Sequence, residues 1–153
     1  MCFVYSVLAD IHRKKDHSYR AKQYEKHVKE LNLDGLTFPL PLNQIPKFEK
    51  LNPTISVSVL TLDSEGLVVP LLPTKHRDRK HDVVLLLISE TIKIDALGNI
   101  EIVTDTCHDD NAVINVRSHY VWVKNLSRLL ASRSNHKRKA ANFACIDSLE
   151  SRR

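Results

Sequence analysis

Six consecutive apolar residues, Val83, Val84, Leu85, Leu86, Leu87 and Ile88, constrain this chain more than any other feature. The run is too short for a membrane span, which needs about 20 residues. It has the length of a strand, and it is apolar at both odd and even positions. Side chains alternate between the two faces of a strand, so this one must be buried on both. It is expected to be the central and most buried strand of a sheet.

Other strands are read around it. Ile55, Val57 and Val59 alternate with Thr54, Ser56 and Ser58, the pattern of a half-buried strand. Asp63-Ser64-Glu65-Gly66 is a turn. Residues 67–72 form a second strand, and Pro70 places it at an edge or a bulge. Ile92-Lys93-Ile94-Asp95 and Ile100-Glu101-Ile102-Val103 flank Ala96-Leu97-Gly98-Asn99, a hairpin signal. Residues 119–124 are the last strand. Tyr120, Trp122 and Lys124 lie on one face, and His119, Val121 and Val123 on the other.

Helical signals sit at the two ends. Residues 2–11 are apolar nearly all round, but Ser6 and Asp10 stand four apart on one face, which favours a buried helix. Residues 19–31 read as a polar helix with a narrow stripe at Tyr24, Val28 and Leu31. Residues 32–41 are an extended connection. Asn43 is the expected N-cap of a short helix through Leu51, with Pro46 in its first turn and Ile45, Phe48 and Leu51 on one face. Residues 126–131 form a last short helix. Helices first and strands after give an α+β class, with N-terminal helices packed on an antiparallel sheet. The division is an α+β domain over 1–131 and a basic tail over 132–153.

Charge is unevenly distributed. From Lys124 onward eight basic residues face two acids, a net of +6, while the rest carries 15 basic and 16 acidic groups, a net of −1. A neutral body with a basic tail points to DNA as a partner, through Arg128, Arg133, Lys137, Arg138 and Lys139. A solvated terminus has the same composition. Three widely spaced cysteines, Cys2, Cys107 and Cys145, do not make a disulfide framework, and a reducing compartment is expected. The N-terminus lacks a basic flank before a long apolar core, so no signal peptide is expected. The expected location is intracellular, nuclear or cytoplasmic, with no membrane partner.

No cofactor or metal is called for. Cys107-His108-Asp109-Asp110 is dense in ligand types, but adjacent ligands rarely reach one ion, and it reads as a polar loop. Lys75-His76-Arg77-Asp78-Arg79-Lys80 is a basic loop between strands. There is no Gly-rich phosphate loop, and three glycines in total leave little room for one. Polymerase carboxylate motifs are absent.

Several blocks resemble the N-terminal region of polypeptides encoded by Polinton/Maverick-type DNA transposons and their viral relatives. The blocks are Cys2-Phe3-Val4-Tyr5-Ser6-Val7-Leu8-Ala9 through His12, Phe38-Pro39 through Ile55-Ser56-Val57, residues 83–88, and His119-Tyr120-Val121-Trp122 through Leu130. They cover about half of the chain in the family's order. Such polypeptides often continue into a protein-primed family-B DNA polymerase. Residues 89–118 exceed the family's usual short link and read as an insertion. The family's C-x-x-C pair after the basic tail is reduced here to Phe143-Ala144-Cys145, with Ser148 where the second cysteine should stand. The chain also begins one residue before the cysteine, and a truncated copy is the expectation.

Cysteine at a helix start and histidine opening a late strand is also the order of papain-like thiol hydrolases. It is similar to the ovarian-tumour-type deubiquitinases. That plan implies Cys2 as nucleophile, stabilised as thiolate by a helix N-terminus, and His119 as base. The substrate would be ubiquitin-like or a polyprotein. A cysteine on an apolar helix is more often a small buried hydrophobe. Asn125 is a distant candidate for orienting the histidine, and the expectation is an inactive copy.

Overall fold

A computed structural model describes residues 1–13, 17, 18, 20–94, 100–102 and 113–134, with side chains described outside 91–94, 100–102, 113–115 and 132–134. Helices α1 (Cys2–Ile11) and α2 (Ile45–Leu51) precede strands β1 (Ile55–Leu62), β2 (Val68–Leu72), β3 (His81–Ile94), β4 (Ile100–Ile102) and β5 (Val113–Trp122), and helix α3 (Leu126–Ser134) follows. The class is α+β, as the order of signals implied.

The sheet is mixed, which corrects the antiparallel expectation. β3 pairs antiparallel with β4 and β5, and β1 antiparallel with β2, but β1 and β3 run parallel from Ile55↔His81 to Leu60↔Leu86. The cause lies in the connection. β2 folds back along the outer edge of β1, and residues 73–80 then return the chain to the beginning of β1, so β3 starts beside it. Arg79 fastens this crossover by donating from Nη1 to the carbonyls of Glu49 at 2.7 Å and Ile55 at 2.6 Å. The basic loop is therefore partly committed to the fold.

Both faces of the central strand are covered. On one, Val83, Leu85 and Leu87 join Ile55, Val57, Val59 and Tyr120 beneath α1 and α2. On the other, Leu86 meets Val121, Val123 and Leu129 of α3, with Val84, Ile88, Leu60 and Leu62 packed around them. Each fully buried aliphatic side chain here contributes roughly 1.5–3 kcal/mol. β2 is the outer edge, where Pro70 is tolerated, and its pairing with β1 carries a register irregularity at Val59/Leu60. Asp63 closes the turn before β2 by accepting from the backbone N–H of Glu65 and Leu67, with Gly66 at φ +78°.

The strand seen at 83–88 extends well beyond Ile88, because Ser89, Glu90 and Thr91 keep the ladder by pairing with Ser118, Arg117 and Val116 of β5. The near end of 89–118 thus belongs to the sheet. Asn43 does not cap α2. It lies in a 3₁₀ turn, Leu42–Gln44, and α2 begins after Gln44. The buried carboxylate of Glu49 holds β1 instead, accepting from Val57 N–H at 2.8 Å and Thr74 Oγ1 at 2.9 Å.

The polar helix expected over 19–31 is two 3₁₀ segments, Ala21–Gln23 and Glu25–Glu30. Three residues per turn stack positions i, i+3 and i+6 in one line. Tyr24, His27 and Glu30 fall on that line. Tyr24 is fully buried and donates to the Ser18 carbonyl at 2.9 Å.

Candidate functional site

Cys2 is the first residue of α1 and is buried among apolar neighbours. The polar face of α1 points to β5. Ser6 Oγ donates to the Tyr120 carbonyl at 2.9 Å, and Asp10 Oδ1 accepts from Trp122 Nε1 at 2.9 Å. Phe3 packs edge-on against Tyr120 at 5.3 Å and against Phe48 at 5.0 Å between ring centroids. The Tyr120 hydroxyl donates to the Leu40 carbonyl at 2.9 Å. Burial, and then the nearby Cys2, push the Tyr120 phenol up to about 12.

This geometry separates the residues of the expected dyad. Tyr120 and Trp122 face α1, so the pleat turns His119, with Val121, to the opposite face of the sheet. Cys2 and His119 therefore lie on different sides of β5 and do not form a nucleophile–base pair. His119 Nδ1 is buried with no hydrogen-bond partner among the described residues. Asn125 serves elsewhere. Its Oδ1 accepts from the Arg128 N–H at 2.9 Å and caps α3.

Arg128 is exposed on α3. The side chain of Arg133 and all of Lys137, Arg138 and Lys139 lie outside the described residues, as do Cys107-His108-Asp109-Asp110, Cys145 and the hairpin tip at 96–99.

A different cluster stands at the far end of α1. His12 is the C-cap, and its N–H donates to the Leu8 carbonyl. Its ring stacks on His27 at 3.7 Å between centroids with 24° between planes. Both rings bond the same carboxylate, His12 Nε2 to Glu30 Oε2 at 2.7 Å and His27 Nδ1 to Glu30 Oε1 at 2.5 Å. The hydrogen bond from His27, and then that from His12, lower the Glu30 pKa from its ordinary value. His27 Nε2 is buried without a partner among the described residues. His12 also lines an open cleft of about 620 Å³ with Asp10, Arg13, Lys80 and Asp82. Sequence reading missed this group. The one local signal was His27-x-x-Glu30, a spacing that puts two ligand types on one face of a helical segment.

Comparison with family models, curated proteins and solved structures returns no match. Among the described residues, no helix is long and apolar enough to cross a membrane.

Proposed function

We propose that the chain is an accessory module of a mobile-element polypeptide, related in plan to thiol hydrolases but without their catalysis. The observation that carries this reading is the convergence on Tyr120. Its backbone carbonyl accepts from Ser6, its hydroxyl reaches Leu40, and its strand position pairs with Leu87. These partners come from three of the four blocks that resemble the transposon polypeptides, and Tyr120 itself stands in the fourth. The two residues that would do chemistry are turned apart, with Cys2 used as packing. The test is the genomic sequence beyond codon 153. A frame that continues into C-x-x-C pairs and family-B polymerase motifs supports the reading, and a frame with neither contradicts it.

A second reading, attachment to DNA through the basic tail, is favoured by one observation. α3 anchors to the sheet through Leu129 while Arg128 is exposed just before the tail. Phosphate contact there would position the module without reading sequence.

A further inference from the structure

We propose that His12, His27 and Glu30 form a binding site for a divalent transition metal, with Zn²⁺ as the physiological class. One donor atom from each residue lies within 4.8 Å of the others. Two imidazoles and a carboxylate, with a fourth position left to water, are an established zinc donor set. Imidazole nitrogen selects for this part of the transition series over magnesium or calcium.

The chain supplies the preorganisation. The 3₁₀ geometry puts His27 and Glu30 on one line, and the end of α1 delivers His12 to the same point. The shortest donor separations are 2.5 and 2.7 Å, against about 3.3 Å between ligands at the corners of a zinc tetrahedron with bonds near 2.0 Å. These two contacts run to different oxygens of Glu30, and with one donor atom per residue, all within 4.8 Å, side-chain shifts on the order of 1 to 1.5 Å gather the set around one ion. Binding replaces the two contacts with Glu30 by bonds to one cation, each neutral ring carrying its N–H on the nitrogen that is not a ligand. The negative end of the α1 dipole lies at His12 and favours that charge. Glu30 is about half exposed, at 48 %, which leaves an approach for the ion and for a bound water.

The site would also join two parts of the fold that are otherwise linked at this end by Glu30 alone among the described ion pairs. Zinc would therefore clamp the end of α1 to the 3₁₀ segment and stabilise the folded chain by mass action.

The test uses the full chain with Zn²⁺ and Co²⁺ alone. Competition against a chromophoric chelator should show one equivalent of Zn²⁺ bound. Glu30→Gln and His27→Gln should each weaken binding at least tenfold, and the His12→Gln/His27→Gln pair should abolish it. The Co²⁺ adduct should show ligand-field bands without thiolate-to-metal charge transfer. Zn²⁺ should raise the melting temperature of the wild type but not of Glu30→Gln, which decides the question if the double variant fails to fold. No binding, no rise in wild-type melting temperature, or binding that survives the double substitution overturns the proposal. So does a thiolate band, which would move the ion to Cys107 or Cys145.

Discussion

Asp10 and Trp122, separated by 112 positions in sequence, share a 2.9 Å hydrogen bond in which the indole N–H donates to the carboxylate. Arg13 donates to the same oxygen, Asp10 Oδ1, at 3.0 Å. The bond fixes the rotation of α1 over β5, because Ser6 makes the parallel contact one turn earlier. Asp10→Ala would leave the indole N–H unsatisfied under the helix. The expected loss is about 1–3 kcal/mol, and Asp10→Asn, which keeps an acceptor, should lose less. Urea unfolding followed by the fluorescence of the single tryptophan measures both.

Arg79 should matter more than a loop arginine normally does. Its guanidinium takes the carbonyls of Glu49 and Ile55, where α2 ends and β1 begins. Arg79→Ala is expected to destabilise the chain by about 2 kcal/mol, within the range for hydrogen bonds to charged groups. Arg79→Lys should restore part of it, since both bonds leave the single nitrogen Nη1 and an ammonium can also donate to two carbonyls. Chemical denaturation of the three proteins decides this.

Tyr120 gives a pH signature. Its phenol is raised to about 12 by burial and by the neighbouring Cys2. A folded-state value above the unfolded one favours the neutral phenol in the folded chain. The contribution is thus fully present below about pH 10 and is lost as pH rises through about 12. Ultraviolet titration should show late tyrosine ionisation that diminishes in Tyr120→Phe, with Tyr24, whose phenol burial also raises, still ionising late. The same variant removes the bond to Leu40 and should cost about 1 kcal/mol at neutral pH.

The basic tail should carry any affinity for DNA. Removing residues 132–153 deletes Arg133, Lys137, Arg138, Lys139, Arg152 and Arg153. Gel-shift titrations at two salt concentrations should show binding that weakens steeply with salt and is lost on truncation. Equal binding by the shortened chain would move the surface to residues 75–80, and no binding by either would remove the DNA reading.

What could be read from the sequence followed local periodicity. The apolar run at 83–88 marked a strand buried on two faces. Ser6 and Asp10 marked the face of α1 that meets β5, and the alternation in β5 separated His119 from Tyr120. The parallel β1–β3 pairing was not legible, because it depends on a crossover tied by Arg79 to carbonyls 24 and 30 positions away. The switch to 3₁₀ geometry was also hidden. It changes which residues share a line, and with it the His12–His27–Glu30 cluster escaped a search built on α-helical and metal-motif spacings. The Cys2/His119 pair was suggested by chain order, and chain order does not say which side of a strand a residue faces.

Cys2 is buried in the core while His119 faces the other side of β5, and the alkylation rate of Cys2 tests this placement most directly. Iodoacetamide labelling of the folded chain at neutral pH, mapped to Cys2 by mass spectrometry, should be at least a hundredfold slower than in the unfolded chain. It should be unchanged by His119→Ala. Rapid labelling of Cys2 in the folded chain that falls when His119 is replaced would contradict the account and restore the dyad.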